Sequence, residues 1–125
     1  MVLSCSAQNK QEKKSTILVG TKWEWKLDSQ CVNYLQFINN NIYEEYNCEL
    51  GEKWKGTYKF NKDTLFLKED IYTSDVPGQG ESLTNQYKMI FTSKGLTVVY
   101  SKTFQDGIWQ ERWIKNPKIF FKKVN

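Results

Sequence analysis

Few residues in this sequence could perform acid–base or metal chemistry, and their spacing is poor for it. The 125 residues include no histidine, which excludes histidine-dependent triads and histidine metal sites. The adjacent Glu44 and Glu45 would point to opposite faces of a strand, so they cannot work as a catalytic carboxylate pair. Asp70, Asp75 and Glu81 do not have the spacing of a calcium-binding loop. We therefore expect no enzymatic activity, no metal and no other cofactor.

The one stretch that could cradle a phosphate is Pro77–Gly80, which reads Pro-Gly-Gln-Gly. A cradle of this kind needs the N-terminus of a helix after it, and no helical period follows here. We interpret these residues as part of a long loop, Thr73–Ser82.

The charge and the basic residues of the chain argue against a nucleic-acid partner. The formal net charge is +4, and Arg112 is the only arginine among 18 basic residues. Proteins that bind nucleic acids use arginine for phosphates and bases more often than this. No run of 18 apolar residues could form a membrane-spanning helix. We expect a monomer with no nucleic-acid partner.

Of the three cysteines, Cys31 and Cys48 are candidates for a disulfide, and Cys5 lies apart near the N-terminus. If Asn39-Asn40 is a two-residue hairpin loop, Cys31 and Cys48 stand opposite each other in a pair without backbone hydrogen bonds. The Cα atoms of such a pair approach closely enough for a disulfide. The same register puts Tyr46 opposite Asn33 on an inward face. We expect a Cys31–Cys48 disulfide; two reduced, buried cysteines are the alternative in a cytosolic protein.

The N-terminal residues Met1–Cys5 read Met-Val-Leu-Ser-Cys, and their end resembles the end of a bacterial lipoprotein signal. In such signals the cysteine becomes the lipidated first residue of the mature chain. Residues 6–16 are polar without periodicity, which is typical of a flexible tether. The resemblance implies lipidation of Cys5 and a location in a bacterial cell envelope, outside the cytoplasm. The membrane would then be reached through the lipid anchor only; a cysteine without a role is the alternative.

Residues 17–125 form a single predicted domain of short strands, with turn residues every 8–12 positions. Residues 21–28 alternate apolar or aromatic side chains with charged ones, as a half-buried strand does. Asparagine, aspartate and glycine mark tight hairpins at 39–41, 61–63 and 106–107. We predict an all-β fold, a single up-and-down antiparallel barrel of eight or nine strands.

The turn Asp106-Gly107 fixes the register of the last predicted hairpin. Lys102 then faces Glu111, and this charge pair is either a polar spot in a cavity or a cross-strand pair near solvent. Aromatic pairs flank it on both sides: Phe104 with Trp109, and Tyr100 with Trp113.

The first strand opens at Gly20–Trp25 as Gly-Thr-Lys-Trp-Glu-Trp. This run resembles the Gly-x-Trp opening of lipocalins and their bacterial lipocalin-like relatives, with one residue inserted before Trp23. Three later runs are similar to the same small bacterial domains: Gly56–Tyr58, Asp63–Leu67 and Gly95–Val98. The resemblance covers residues 17–124 and implies a lipocalin-like barrel.

In lipocalins a tryptophan plugs the closed end of the barrel, and a late arginine often packs over it. The resemblance implies Trp23 and Arg112 as that pair. Trp25 has the same parity and is the alternative plug, unless both tryptophans are ordinary core residues.

The predicted function is non-enzymatic binding of a small apolar or amphipathic ligand inside the barrel. Gly56 would leave space there unless Tyr46 or Tyr58 fills it. Glu44 would be a polar contact near the mouth, or a residue on an open rim. The alternative function is an envelope-anchored protein-interaction or inhibitor module with a packed interior. The inward parity of the strands predicts the other ligand contacts: Tyr46, Tyr58, Tyr87, Met89, Tyr100 and Trp113.

Overall fold

The computed structural model describes residues 18–69, 85–105 and 107–124. The predictions for Cys5, for the tether 6–16 and for the loop Thr73–Ser82 lie outside these ranges. Within them no helix is long and apolar enough to cross a membrane. The described residues form nine strands: β1 (Lys22–Lys26), β2 (Val32–Phe37), β3 (Ile42–Asn47), β4 (Glu52–Asn61), β5 (Thr64–Glu69), β6 (Asn85–Thr92), β7 (Gly95–Gln105), β8 (Ile108–Trp113) and β9 (Lys122–Val124).

All nine strands belong to one antiparallel sheet, which confirms the predicted all-β fold. Strands β1 to β8 pair in sequence order, and β9 returns to the free side of β1. Just before β9, the backbones of Phe121 and Leu96 exchange two hydrogen bonds of 2.8 Å. The Thr97 hydroxyl also donates to the carbonyl oxygen of Ile119 at 2.7 Å. The C-terminal segment therefore links β1 to β7, the two sides of the curled sheet.

The core fills one end of this curl with large side chains from most strands. The rings of Phe37 and Tyr58 meet edge to face at 4.9 Å, and Trp23 lies 5.7 Å from Phe91. Such aromatic pairs add to the stabilisation from burial itself. The buried residues of this cluster are Leu18, Leu35, Phe37, Tyr43, Tyr58, Leu65, Leu67, Met89 and Leu96.

The hairpin between β2 and β3 has a longer loop than the two residues predicted. The side-chain oxygen Oδ1 of Asn39 accepts hydrogen bonds from the backbone nitrogens of Asn41 and Ile42, at 3.0 and 2.9 Å. As a result Phe37 pairs with Tyr43, one residue away from the predicted register.

This one-residue shift turns every side chain of β3 to the other face. Tyr43 and Glu45 point into the curl, whereas Glu44 and Tyr46 point out of it. The predicted inward orientation of Glu44 and Tyr46 is therefore wrong. Its physical cause is the Asn39 side chain, which stabilises the longer loop.

The disulfide between Cys31 and Cys48 is confirmed, with a Cα–Cα distance of 5.4 Å. Both cysteines lie just beyond the paired residues of β2 and β3, so the bond does not depend on the register within the hairpin. The side chain of Asn33 holds this end of the hairpin, because its Oδ1 accepts from the backbone nitrogen of Cys48 at 2.9 Å.

Removal of this disulfide should destabilise the fold markedly. The disulfide joins two cysteines that are 17 residues apart in the sequence. The variant Cys31→Ser/Cys48→Ser should lose about 3 kcal/mol of unfolding free energy, because the unfolded chain gains conformational entropy without the link. Urea unfolding measures the loss, and Cys5→Ser serves as the control that should have no effect. Free thiols at residues 31 and 48 in non-reducing peptide maps would contradict the structure.

A β-bulge interrupts the pairing of β6 with β7. Met89 pairs with Val98 and Lys88 pairs with Tyr100, so Val99 has no opposite residue. An extra residue of this kind reverses the side-chain alternation beyond it. Tyr100 therefore lies on the outer face, and its predicted inward orientation is wrong.

The last hairpin has the predicted register, with Lys102 opposite Glu111 and Tyr100 opposite Trp113. The ring centroids of Tyr100 and Trp113 are 4.5 Å apart. Because the bulge turns this whole row outward, Trp113 is 63% exposed and lies outside the barrel. Lys102 and Glu111 belong to the same outward-facing side of the hairpin. They form a cross-strand pair near solvent and not a polar spot inside the cavity.

Candidate functional site

An open cavity of about 910 Å³ lies beside the packed core, which contributes Leu35, Leu67 and Met89 to its lining. It lies where the β1–β2 and β3–β4 turns come together, and the C-terminal segment from Asn116 to Ile119 forms one wall. The strands contribute both apolar and polar side chains to it. The apolar lining includes Trp25, Trp54, Leu67, Met89, Val98 and Ile114.

Glu69, at the end of β5, is the most buried carboxylate in this lining, with 7% of its surface exposed. The Asn85 side chain donates to Oε2 at 2.8 Å, and the Tyr87 hydroxyl donates to Oε1 at 2.9 Å. Thr103 in turn donates to the side-chain oxygen of Asn85 at 2.7 Å. Each oxygen of the carboxylate therefore has a donor, as a buried charge requires.

Glu45 of β3 is the second carboxyl group of the cavity and shares a hydrogen bond with Glu69. Burial, the hydrogen bond to Glu69 and the charge of Glu69 together raise the pKa of Glu45 to about 9. Glu45 is therefore protonated at neutral pH. Burial and the charges of the same two groups also raise the pKa of Tyr87.

The carboxyl pair of Glu45 and Glu69 offers hydrogen-bonding capacity to the cavity. The Oε1 atom of Glu45 is buried and has no hydrogen-bond partner among the residues that the structure describes. A protonated carboxyl group can donate as well as accept, whereas the Glu69 carboxylate only accepts. The Glu45 proton is engaged with Glu69, so the pair can offer a ligand only the remaining acceptor lone pairs of its oxygens.

Gly56 of β4 lies between the strands that carry the two carboxyl groups, opposite Tyr43 on one side and Glu69 on the other. A Cβ atom here would collide with the carbonyl oxygen of Lys68 and would come within 2.7 Å of the Tyr43 ring. The space beside Gly56 is thus filled by Tyr43, and neither Tyr46 nor Tyr58 is the residue that fills it.

Gly56→Ala should therefore destabilise the fold, although alanine adds a single methyl group. The collision involves backbone atoms of β5, which cannot move away cheaply, so we expect a loss of about 1–3 kcal/mol in chemical denaturation. The control is Gly51→Asn, where φ is +66° and nothing lies within 4 Å of an added Cβ. Asparagine tolerates such φ values, so this variant should keep wild-type stability. Equal stability of Gly56→Ala and wild type would contradict the close approach of β4 and β5.

Of the predicted ligand contacts, Tyr87, Met89 and Tyr46 are among the lining residues of the cavity, although the strand register puts the Tyr46 side chain on the outer face. On that face Tyr46 stacks on Tyr34 at 5.4 Å. Tyr58 lies in the core instead, and its hydroxyl donates to the backbone carbonyl of Asn39.

Three predicted contacts lie outside the cavity. Glu44 accepts a hydrogen bond of 2.7 Å from the hydroxyl of Tyr34 on the outer face. Tyr100 and Trp113 form the outward row of the last hairpin, so these two rings cannot line the interior.

The prediction missed the polar half of the cavity. Glu69 shares the parity of Leu65 and Leu67, both buried, and this charge on an apolar face was a readable signal. Glu45 carried no such signal, because its orientation follows from the β2–β3 loop. Arg112 lines the cavity together with Trp25, whereas Trp23 packs in the core.

The described part of the chain contains no group of three or more cysteine, aspartate or glutamate side chains that could hold a metal ion. The site is thus an aromatic and aliphatic cavity with one polar cluster on its wall. Comparison with protein-family models, with curated proteins and with solved structures finds no match to this chain.

Proposed function

We propose that this protein is a non-enzymatic, lipocalin-like carrier that holds a small apolar or amphipathic ligand in its barrel. The observation that carries the proposal is the cavity of about 910 Å³. Its volume lies within the roughly 300–1,000 Å³ that small-molecule sites occupy, and such sites combine apolar walls with a few polar groups. The alternative module would need a packed interior, so the cavity favours the carrier.

The arrangement of the lining suggests how a ligand would be oriented. Trp25, Trp54 and Met89 provide apolar surface for a hydrocarbon or ring portion. The carboxyl pair, in which Glu69 accepts hydrogen bonds from Asn85 and Tyr87, provides acceptor oxygens for a polar group that donates. Both features favour an amphipathic ligand over a purely apolar one.

Lipid anchoring at Cys5 and a place in a bacterial cell envelope complete the proposal. Their support is the lipoprotein-like end of the sequence Met1–Cys5 together with the Cys31–Cys48 disulfide, a bond that forms outside the reducing cytoplasm.

The direct test is a titration with N-phenyl-1-naphthylamine, an uncharged amphipathic dye that fluoresces in apolar surroundings. We expect saturable binding of one dye per chain, and displacement of the dye by a long-chain alcohol. Urea-unfolded protein is the control and should give no saturable signal. A linear, non-saturating response of the folded protein would contradict the carrier function.

A further inference from the structure

The outer face of strands β4 to β8 is a second surface of distinctive chemistry, separate from the cavity. The register places directly opposed residues on one face, and two rows cross all five strands. The first row consists of Lys59, Phe66, Lys88, Tyr100 and Trp113. The second row consists of Thr57, Lys68, Gln86, Lys102 and Glu111.

Lysine is the main charged residue of this surface, which we call the lysine face. The described residues of β4 to β8 place six lysines and one carboxylate on it, and Glu44 of β3 lies opposite Lys55 at its border. The single carboxylate, Glu111, accepts a hydrogen bond of 2.9 Å from Tyr100. The six lysines are Lys53, Lys55, Lys59, Lys68, Lys88 and Lys102.

Aromatic rings hold some of these ammonium groups in place. The Lys88 ammonium lies 4.7 Å from the ring centroid of Tyr100 and 5.1 Å from that of Trp113. The Lys102 ammonium lies 4.7 Å from the centroid of Trp109. These are cation–π distances, so the positive charges and the rings form one surface rather than separate patches.

A shallow groove of about 470 Å³ runs along the lysine face. Lys59, Lys68 and Lys88 are among the residues that line it, together with Phe66 and Tyr100. Three lysines along one depression give it the positive charge that suits an anionic group such as a phosphate.

The hairpin of β7 and β8 adds exposed apolar surface at the edge of this face. Trp109 is 41% exposed and Phe104 is 38% exposed, in addition to the exposed Trp113. Large apolar side chains clustered on a surface and bordered by charge mark a contact with a membrane or with another protein. Tryptophan and lysine are also typical of the membrane–water interface.

We infer that the lysine face binds the surface of a bilayer rich in anionic lipids, with Trp109 and Trp113 entering the headgroup region. The occupant must offer anionic groups and apolar depth together, and such a bilayer offers both. A soluble polyanion would match the lysines but would leave the exposed rings of the hairpin in water. This contact is independent of the cavity ligand, and it adds a direct membrane contact to the predicted lipid anchor.

The test uses the full chain with Cys5→Ser, so that no anchor contributes. We expect sedimentation with vesicles that contain about 30 mol % phosphatidylglycerol and none with pure phosphatidylcholine. Raising the salt concentration to about 0.5 M should abolish the binding. Brominated lipids should quench the tryptophan fluorescence, and this quenching should disappear in Trp109→Phe/Trp113→Phe.

A matched pair of charge variants separates this face from net charge. Lys59→Gln/Lys68→Gln/Lys102→Gln should weaken vesicle binding on the order of a hundred-fold, since each lysine near an anionic surface changes partition about five-fold. Lys22→Gln/Lys26→Gln/Lys122→Gln removes the same charge from the outer faces of β1 and β9, and should weaken binding far less. Circular dichroism confirms that both variants fold.

Three results would overturn the proposal. The first is the absence of binding to anionic vesicles, and the second is equal weakening by the two lysine variants. The third is vesicle binding without quenching of Trp109 and Trp113, together with equally tight binding of soluble polyphosphate. That last result would assign the face to a soluble polyanion.

Discussion

Glu45→Gln should make the protein more stable than wild type near pH 8 and equally stable near pH 4. In the folded protein the pKa of Glu45 is about 9, against an ordinary value of 4.5. Between these values the unfolded chain loses the Glu45 proton while the folded chain keeps it. The wild type therefore loses stability as pH rises through this range, with a limiting slope of about 1.4 kcal/mol per pH unit.

Glutamine avoids this loss because it is neutral at every pH, and its amide can still donate a hydrogen bond to Glu69. The expected gain near pH 8 is at least about 2 kcal/mol, measured by thermal or urea unfolding across the pH range. Glu44→Gln is the matched control, because it changes the neighbouring carboxyl group on the outer face. An unchanged pH dependence in Glu45→Gln would contradict the buried carboxyl pair.

Trp54→Ala should weaken binding of the amphipathic dye at least about ten-fold, a change of 1.4 kcal/mol. Trp54 lines the cavity and lies opposite Glu45 on the neighbouring strand. Its removal takes away a large apolar contact beside the polar cluster. Fluorescence titration measures the affinity, and unfolding curves show that the variant remains folded at the temperature used.

Trp113→Ala is the control for this experiment, because Trp113 is also a tryptophan but lies on the outer face. The affinity for the dye should stay at the wild-type value. Loss of dye binding in Trp113→Ala, with normal binding in Trp54→Ala, would place the dye outside the barrel and contradict the assigned site.

The strand pattern and the last hairpin could be predicted from the sequence because their signals are local. Alternation at residues 21–28 and the Asp106-Gly107 turn each specify a conformation within a few residues. The Cys31–Cys48 pair could also be found, since its two residues lie at similar distances from the asparagine turn. The predicted disulfide is correct although the predicted register of the β2–β3 hairpin is wrong by one residue.

The orientation of β3 could not be predicted, because Asn39–Asn41 is compatible with loops of different length. The choice depends on two hydrogen bonds to the Asn39 side chain, which only the folded hairpin forms. That choice decides whether Glu44 or Glu45 enters the barrel, and so it decides the chemistry of the cavity.

The orientation of Tyr100 and Trp113 could not be predicted either. Both follow from one unpaired residue, Val99, in a stretch that otherwise alternates regularly. A β-bulge in such a run leaves no mark in composition or in turn residues. The consequence is large, because it moves a row of aromatic side chains from the predicted interior to the lysine face.

The central claim, that a ligand enters the cavity, is tested most directly by the indole N–H signals in nitrogen–proton NMR spectra. The chain has five tryptophans, and they sample three environments. Trp25 and Trp54 line the cavity, Trp23 lies in the core, and Trp109 and Trp113 lie on the outer hairpin. On titration with the dye, the signals of Trp25 and Trp54 should shift and saturate together, and those of Trp109 and Trp113 should stay in place. Shifts confined to Trp109 and Trp113 would contradict the account.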